Sequence, residues 1–543
     1  VRADSFLPPL LWSAKEGLRA EPAVIIHGDF LGDKLPLEKD YNLIIGNPPW
    51  ESRGKEQIAL HFAQRTPDFL CDGGIGCLIL PTTILVNRHG TLDGNWFRAV
   101  TGEKIVQLAD YRKLMFASAI HAGFIIRFQK VKPTLEHVVI YETPKVSRFD
   151  RRRGVIVVEP DDQKLVTQRD VLAANLQDKK QEQSRLQAVW SRQFWGSSRD
   201  MAFLRRLDFL PRLSALVGTR GKAKRWLGGT GFQPFHEGRE EDGYECVKMP
   251  WSLSEPFLDA ASQDIDLVVF PNQFTTIGDK LRMLEASTSK ILFARTEQNF
   301  TPPMVLFSQG FTKIAFCSHR VFFQNAIRSI AGPQSDNDIL RFLACFLGSR
   351  FVRYQSFHSG SSNGIGRDQF NLYESLNLGF PLPDDELAPD DAAKILHEAA
   401  EITKKVERDG VKAKPAKRIE LVENAKNQVE PLVEAYFSVS DAERMLISDT
   451  LELWQPSIHK QNLDLDIPAL RFPDDRDRKR YADTLANELN RFSRKQQIRI
   501  SVEGMASEEL NLILITVIFG REKRPYRKAG GDAELWKALT RVN

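Results

Sequence analysis

The sequence lacks the features that mark membrane, secreted and metal-binding proteins. Its 543 residues contain no uninterrupted apolar run long enough to span a bilayer. The N-terminal stretch VRADSFLPPLLW has neither the long apolar core nor the small-residue cleavage site of a signal peptide. The five cysteines are odd in number and have no paired short spacings, which argues against a disulfide framework and a zinc site. These absences predict a cytoplasmic protein with reduced cysteines, no bound metal and no membrane partner.

Two common catalytic signatures are missing as well. The sequence contains no Gly-x-x-x-x-Gly-Lys loop that would cradle the phosphates of a nucleotide. The acidic pairs in DLD and PDD, near the C-terminal end, are not followed by lysine at the spacing of a metal-dependent nuclease. Solvated loops are therefore the preferred interpretation of those acidic residues.

Charge and apolar content leave a nucleic-acid partner open. Hydrophobic residues make up 42% of the chain, enough for two to four domains with their own cores. The net charge is only +4, with a pI of about 8.6, which is compatible with DNA binding without requiring it. Local basic clusters occur at Arg220 to Arg225, Lys404 to Arg418, Arg476 to Arg480 and Arg521 to Lys528. A single such cluster is more often a solvated surface than a phosphate contact.

The first 150 residues alternate strand-like and helix-like segments. The predicted strands are PAVIIHGDFL, YNLIIGNPPW, IGCLILPTTIL, EKIVQLADY and HAGFIIRFQK. The segment IALHFAQRTPDFLCDGG predicts a helix that ends at Gly73 and Gly74. This alternation is typical of an α/β sheet, in which ligands bind outside the carboxyl ends of the strands.

The stretch YNLIIGNPPWES places Asn-Pro-Pro-Trp at such a strand end. Two prolines stiffen the turn, the Asn47 side chain and the Pro48 main chain each offer a carbonyl acceptor, and Trp50 offers a stacking face. This set suits an enzyme that extrudes a base and orients its exocyclic amine for methyl transfer. The alternative is a strand-terminating loop with a packed tryptophan.

Residues 22 to 130 resemble the adenine-specific DNA methyltransferases, whose motifs occur here in the family's order. The resemblance assigns the catalytic signature to Asn47, Pro48, Pro49 and Trp50. The segment IIHGDFL is similar to the strand whose acidic residue lies beside the adenine of S-adenosylmethionine, which assigns a cofactor contact to Asp29. Turn formation or helix capping is the alternative role of Asp29. The resemblance implies S-adenosylmethionine as cofactor and double-stranded DNA as partner.

One part of the family pattern is absent. The family opens with a Phe-x-Gly-x-Gly loop and an acidic residue for the donor's ribose, and the residues before Asp29 contain neither. Three explanations follow. The sequence is the carboxyl part of a longer chain, or a partner subunit supplies the missing donor-binding segment, or the chain is a degenerate methyltransferase that binds DNA as a scaffold. The intact Asn-Pro-Pro-Trp signature favours the first two explanations.

The later sequence resembles the long methyltransferases of type IIG restriction systems and of the BREX and DISARM phage-defence systems, which implies a bacterial or archaeal protein. The segment LGGTGFQPF is similar to the start of their target-recognition region, with a flexible loop as the alternative. In the same region we predict strands in KILFART and KIAFCSHRVFFQNA, one helix in DILRFLACFLGSRFVRYQSF, and a Gly/Ser-rich loop in HSGSSNGIGRDQF.

Together these patterns predict an α/β protein with a partial Rossmann-like methyltransferase sheet, an α/β target-recognition domain and a mainly helical C-terminal region. The expected regions are a catalytic part at 1–150, a connector at 151–199, the recognition domain at 200–390, a helical brace at 391–460 and a small α/β appendage at 461–543. The candidate DNA contacts are Arg220, Lys222, Lys224, Arg225, Arg353 and Arg367. For Arg353 a solvated helix position is the alternative.

The sequence therefore predicts adenine methylation of DNA in a restriction-modification or phage-defence system. The alternative is a catalytically incomplete recognition or assembly subunit of a defence complex. Methylation of RNA or of protein glutamine is a third interpretation, because those methyltransferases share the Asn-Pro-Pro signature. The long downstream region favours duplex DNA.

Overall fold

The structure is a computed structural model. It describes residues 27–32, 40–53, 56–86, 103–112, 122–134, 136–144, 158, 162–167, 189–219, 222, 224–236, 245–259, 265–308, 310–360, 372–455, 473–493, 498–507, 512–520, 533, 535, 537 and 540. The fold is mixed α/β with two six-stranded sheets and long helices toward the C-terminal end, which confirms the predicted fold class.

The first sheet carries the Asn-Pro-Pro-Trp stretch at its rim. The strands of this region are β1 (Tyr41–Gly46), β2 (Ser52–Arg53), β3 (Glu56–Gln57), β4 (Leu70–Pro81), β5 (Lys104–Arg112), β6 (Gly123–Gln129), β7 (Val138–Glu142) and β8 (Gln163–Thr167). The order in the sheet is β1-β4-β6-β5-β7-β8, while β2 and β3 pair separately. Strands β1, β4, β5 and β7 run parallel to one another, and β6 and β8 run antiparallel to their neighbours.

The helix predicted between the first two strands is shorter than expected. Helix α1 (Ile58–Arg65) gives way to a 3-10 turn (Thr66–Phe69) with Pro67 in its first turn, because a proline disfavours helical backbone in the residue before it. Gly73 and Gly74 lie inside strand β4 rather than at a helix end. Gly73 adopts a φ of +80°, a conformation that glycine tolerates. A second short helix, α2 (Thr82–Val86), follows β4.

The first sheet includes a strand and helical residues from the segment expected as a connector. Strand β8 falls within the expected connector, yet it pairs antiparallel with β7 and is the edge strand of the first sheet. The helical residues 189–195 also pack on this sheet, since Trp190 and Phe194 belong to its buried apolar cluster. Polar composition suggested a linker, but the pairing of β7 with β8 is non-local and leaves no local signature.

A second sheet forms the core of the next region. The strands are β9 (Val217–Gly218), β10 (Trp226–Thr230), β11 (Gln233–Pro234), β12 (Cys246–Lys248), β13 (Pro256–Leu258), β14 (Asp266–Val268), β15 (Phe274–Thr276), β16 (Lys290–Leu292), β17 (Met304–Ser308), β18 (Ile314–Cys317) and β19 (Ile327–Ala331). The six-stranded order is β14-β18-β17-β19-β10-β9, and β11, β16 and β12 form a small sheet beside it. The helices are α3 (Ser198–Asp208), α4 (Leu213–Leu216), α5 (Ile277–Met283), α6 (Asn337–Gly348), α7 (Arg350–Ser359) and α8 (Leu372–Ser375).

The structure differs from two sequence interpretations in this region. Gly228 and Gly229 of LGGTGFQPF lie in strand β10, Gly228 buried and Gly229 half-buried, and not in the flexible loop that was the alternative interpretation. A Cβ at Gly229 would come within 2.2 Å of the Asn299 side chain, so close packing requires glycine there. The predicted single helix is two helices, since Ser349 caps α7 by accepting a hydrogen bond from the Val352 N–H, 3.2 Å away.

Long helices cover the second sheet. Helices α9 (Ala392–Val411) and α10 (Pro415–Tyr436) pair with each other and share one buried cluster with α6 and the second sheet. Helix α11 (Asp441–Asp449) has Ser440 as its N-cap residue, which forms a capping box with Glu443. The helix continues into a π-helical turn (Thr450–Trp454). Toward the C-terminal end, helix α12 (Asp475–Ser493) packs on a hairpin of β20 (Arg499–Ser507) and β21 (Leu512–Gly520).

Candidate functional site

The parallel strands of the first sheet bring several polar groups to one rim. Because β1, β4, β5 and β7 are parallel, their carboxyl ends meet at the same rim. The residues Asn47 to Trp50 follow β1, Thr82 follows β4, and Asp110 lies near the end of β5. Ligands of open α/β sheets bind outside this rim.

The two carbonyl acceptors proposed from the sequence are open. The Asn47 side chain is exposed. Among the described residues, none donates a hydrogen bond to the Asn47 side-chain carbonyl or to the Pro48 main-chain carbonyl. Pro48 itself is buried in the protein, whereas Pro49 is exposed to solvent. Neither acceptor is thus taken by a donor from the described residues.

The residues that flank these acceptors are fastened to the sheet. The Trp50 indole Nε1 donates a hydrogen bond to the Ile79 carbonyl of β4, 3.4 Å away, and the half-buried ring packs against the apolar cluster of the sheet. The Ile58 N–H, at the start of α1, donates to the Glu51 carbonyl at 3.1 Å. The turn is therefore held at both ends while its acceptors stay open, an arrangement that favours preorganised binding.

Asp29 lies in a turn held against the far end of α1. Its Oδ1 accepts a hydrogen bond from the Leu31 N–H at 3.0 Å, and its main-chain carbonyl accepts from the Gly32 N–H at 3.0 Å. Arg65 donates to the carbonyls of Leu31 and Gly32, at 2.6 and 3.0 Å. The carboxylate is exposed. The turn role of Asp29 is thus present, and its cofactor contact stays a prediction. Residues 27–32 show no strand, and 22–26 lie outside the described residues.

Helix α1 connects the two loops. Its first residue is bonded to the Asn-Pro-Pro-Trp turn, and its last residue, Arg65, is bonded to the Asp29 turn. Phe30 also stacks on Phe62 of α1, with ring centroids 5.0 Å apart. Eight helical residues span roughly 12 Å. One rigid element therefore sets the spacing of the two candidate sites.

The sequence did not single out a buried carboxylate behind the turn. Asp110 is fully buried; its Oδ2 accepts a hydrogen bond from the Tyr141 hydroxyl at 2.9 Å and its Oδ1 accepts from the Thr82 hydroxyl at 3.5 Å. These contacts join the carboxyl ends of β4, β5 and β7. An aspartate inside the apolar strand KIVQLADYR was the available signal, because a charged group in a core needs partners.

The side of β1 that faces away from the core is unusually apolar. Ile44 packs on the sheet's buried cluster, whereas Leu43 and Ile45 are 54% and 72% exposed. A half-buried strand normally carries polar residues on its solvent side. In the described part of the chain, β4 is the one strand that pairs with β1. This side of β1 has the composition of a surface that another element covers.

The candidate DNA contacts differ in their environments. Lys222 is exposed, and Lys224 donates to the Ser214 carbonyl at 2.5 Å. Arg225 forms two hydrogen bonds to Asp336, at 2.7 and 2.9 Å, and Asp336 also accepts from the Trp226 indole at 2.8 Å. The Arg225 guanidinium holds the pKa of the Asp336 carboxyl below its usual range. A phosphate would therefore compete with Asp336 for Arg225.

Arg353 and the remaining two candidates give less information. Arg353 is exposed on α7, where it donates to the Gln455 side chain at 3.4 Å. Arg220 and Arg367 lie outside the described residues. The roles of all six basic residues in DNA binding stay predictions.

Metal binding and membrane insertion receive no support from the described residues. Within the ranges given above, no group of three or more His, Cys, Asp or Glu side chains is arranged to hold a metal ion. In the same ranges, no helix combines the length and the apolar character needed to cross a bilayer.

Comparison with known proteins gives structural likenesses only. The sequence matches no protein-family model and no curated protein. Among solved structures, the chain is similar to the type IIG restriction endonuclease BpuSI, with 12% identity, a TM-score of 0.26 and coverage of 72% of this chain and 50% of BpuSI. It is also similar to the type IIL restriction-modification enzyme MmeI, solved in complex with DNA, with 12% identity, a TM-score of 0.35 and coverage of 76% and 57%.

A third likeness covers less of the chain. A modification subunit of a putative type I restriction enzyme from Vibrio vulnificus YJ016 aligns with 15% identity, a TM-score of 0.18 and coverage of 20% of this chain and 26% of that subunit. All three are restriction-modification proteins. The chain spans about half the length of BpuSI, and at these TM-scores the likenesses assign no role to its residues.

Proposed function

We propose that this chain carries the target-base site of an S-adenosylmethionine-dependent DNA methyltransferase acting on the adenine exocyclic amine. The observation that supports this most directly is the turn after β1, where the Asn47 and Pro48 carbonyls are open while Trp50 and Glu51 are fastened to the scaffold. A loop with a purely structural role has no need of two preorganised free acceptors. The family resemblance of the motif supplies the reaction.

The chemistry that these residues can perform is orientation and charge stabilisation. An exocyclic amine donates one hydrogen bond to the Asn47 side-chain carbonyl and one to the Pro48 main-chain carbonyl. Both bonds direct the nitrogen lone pair away from the turn and stabilise the positive charge that develops on nitrogen. The ring of Trp50 provides a stacking face for the extruded base.

Asp29 fits one contact to the donor. Its exposed carboxylate lies on a turn that Arg65 holds in place, so an oxygen can accept from the donor's adenine amine. When bound, the donor supplies an electrophilic methyl group on a sulfonium. The Phe-x-Gly-x-Gly loop, through which the family also contacts the donor, is absent from the sequence.

We infer that the donor site is completed on the outer side of β1. The exposed Leu43 and Ile45 mark this side as a surface that another element covers. A donor-binding segment, from the same polypeptide or from a separate subunit, would pack on that face and lie beside the Asn-Pro-Pro-Trp turn. Such an assembly fits a restriction-modification or phage-defence system with duplex DNA as substrate.

The decisive experiment is transfer of a labelled methyl group from S-adenosylmethionine to mixed-sequence duplex DNA. The chain is assayed alone and together with a donor-binding segment that contains a Phe-x-Gly-x-Gly loop; the combination is called the completed protein. Asn47→Ala serves as the matched control. We expect label in adenine with the completed protein and none with Asn47→Ala. Digestion of the product to nucleosides identifies the methylated base.

Other outcomes separate the alternatives. Label in RNA or in protein glutamine, with no label in DNA, would replace the proposed substrate. DNA binding without any methyl transfer by the completed protein would establish the scaffold function instead. Equal labelling by the wild type and Asn47→Ala would remove Asn47 from the reaction.

A further inference from the structure

The turn between helices α9 and α10 concentrates positive charge. We define the basic tip as residues 405–418, which comprise the last two turns of α9, the connection and the first turn of α10. It contains six basic residues, Lys405, Arg408, Lys412, Lys414, Lys417 and Arg418, and two acidic residues, Glu407 and Asp409. Its net charge of +4 equals that of the whole 543-residue chain.

Half of the six basic side chains are unpaired within the described part of the chain, whereas Arg408 pairs with Asp409 at 3.3 Å and Lys417 pairs with Glu420 at 2.7 Å. Among the described residues, none forms a hydrogen bond or an ion pair with the side chains of Lys405, Lys412 or Lys414, which are all exposed. Glu407, in contrast, faces inward and is bonded to Arg341 and Ser318. The unpaired surface charge of the tip is thus carried by Lys405, Lys412 and Lys414.

The position of the lysines is unfavourable for the helix that they begin. Lys414 is the N-cap residue of α10 and Lys417 lies in its first turn, which contains no acidic residue. Cations at a helix N-terminus oppose the helix dipole. Lys417 is paired with Glu420 at 2.7 Å within α10, so helix stability accounts for it. It does not account for Lys414, whereas an anionic partner would.

The tip is held rigidly on the second domain. Gly410 packs so closely on Phe270 that a Cβ there would come within 2.3 Å of the ring. The Arg418 guanidinium lies 4.7 Å from the centroid of the Phe270 ring and donates to the carbonyls of Gly410 and Ala413, at 3.2 and 3.3 Å. A rigid arrangement of charges loses less entropy on binding than a flexible loop.

The spacing of the charges fits a nucleic-acid backbone. Lys405 and Arg408 lie on the exposed side of α9, and Lys412 is its C-cap residue with helical backbone, so the three follow one another at i, i+3 and i+7 along one stripe. Arg408 also pairs with Asp409, 3.3 Å away. The stripe is roughly 10 Å long, which is enough to meet more than one phosphate of a DNA strand.

We propose that the basic tip of the α9–α10 hairpin is a phosphate-contact surface for duplex DNA, separate from the cluster at 220–225 and from the turn after β1. It anchors the duplex without reading sequence, because phosphate contacts position DNA and base contacts specify it. The inference rests on the proposed function only in taking duplex DNA as the ligand.

The test compares two variants of the full chain with equal charge loss. The tip variant carries Lys405→Gln, Lys412→Gln and Lys414→Gln; the control carries Lys132→Gln, Lys248→Gln and Lys394→Gln, three exposed lysines elsewhere in the described chain. Binding of a mixed-sequence duplex is measured over a series of KCl concentrations. For the tip variant we expect the slope of log affinity against log salt to shrink by about 2 to 3 units. The control should keep the wild-type slope.

Additional arms keep the result interpretable. Matching thermal unfolding midpoints exclude misfolding, and Lys→Arg at the three tip positions should restore the slope. An unchanged slope in the tip variant, equal changes in tip and control, or equal competition by single-stranded RNA would each overturn the proposal. Asn47→Ala leaves the tip intact, so it should bind DNA with the wild-type slope. A loss of methyl transfer is thereby distinguished from a loss of DNA binding by the tip. If the wild-type chain binds no duplex DNA, the proposed role of the tip is wrong.

Discussion

The indole Nε1 of Trp50 donates a hydrogen bond to the main-chain carbonyl of Ile79, which joins the turn after β1 to the neighbouring strand β4. Ile79 lies two residues before the end of that strand. The indole is therefore oriented by the sheet and does not depend on a bound base for its position. A preset aromatic ring reduces the entropy lost when a base stacks on it.

Trp50 is the first target for mutation. We expect Trp50→Ala to weaken stacking of the extruded base by about 1 to 3 kcal/mol. Trp50→Phe keeps an aromatic face but loses the bond to Ile79, so its effect should be smaller. Both are measured as changes in kcat/KM for methyl transfer by the completed protein. Unchanged activity and DNA affinity in Trp50→Ala would contradict the stacking role.

Asp110 should matter for stability. Asp110→Ala leaves the buried Tyr141 hydroxyl without this acceptor, at a cost of about 1 to 3 kcal/mol in the free energy of unfolding. Tyr141→Phe removes the donor instead and should cost less. Urea denaturation of the two single variants and the double variant gives their coupling energy. Strictly additive losses would show that the two side chains do not act as a pair.

Stability should depend on pH through His358. This buried side chain lies 3.8 Å from Asp200 and 3.4 Å from the Thr450 hydroxyl, and burial lowers its pKa from 6.5 to about 4. Between these values the unfolded chain binds a proton that the folded chain does not. The contribution of His358 is therefore complete above pH 6.5 and decreases as the pH falls, by at most about 3 kcal/mol.

The comparison of His358 with His358→Leu tests this effect. Burial also raises the pKa of the Asp449 carboxyl, which is present in both proteins. The Asp200 carboxylate lies 3.8 Å from His358, so the difference between the two proteins includes that interaction as well. The wild-type stability should fall more steeply than that of His358→Leu between pH 6.5 and 4. Parallel curves would show that His358 titrates normally.

Arg225 and Lys222 should separate stability from DNA binding. Arg225→Gln weakens a charge-assisted pair with the buried Asp336, so we expect a loss of about 1 to 3 kcal/mol in stability. Lys222→Gln removes an exposed charge and should leave stability unchanged while reducing the salt dependence of DNA binding by about one unit. Chemical denaturation and salt titrations measure both quantities. A reduced slope in Arg225→Gln alone would reverse this assignment.

The sequence predicted elements whose causes are local. Strand β1 and its turn were visible in the sequence because an apolar run meets two prolines. Helix α1 was drawn too long because the effect of Pro67 was underestimated. Strand β8 was missed because its place depends on pairing with β7, which a polar local sequence does not reveal.

In the candidate site too, features with a local cause were predictable from the sequence and contacts between distant residues were not. The open acceptors at Asn47 and Pro48 follow from residue type and neighbouring prolines. The partner of Arg225 does not, because Asp336 lies 111 residues away in the sequence. The Thr82–Asp110–Tyr141 contacts likewise form only when three strand ends meet. Sequence therefore identified the candidate turn better than the residues that support it.

The helical residues 189–195 restrict how this protein could be engineered. Trp190 and Phe194 pack on the first sheet, while Trp195 contacts Phe357 and Trp454 of the following domain, with ring centroids 5.6 and 5.9 Å away. If a chimaera joined two proteins at a point before or after this helix, the helix would lose its aromatic contacts either with the first sheet or with the following domain. Transplanting the second domain as a cassette would thus require the matching surface of the first sheet, whereas exchange of individual loops would leave the joint intact.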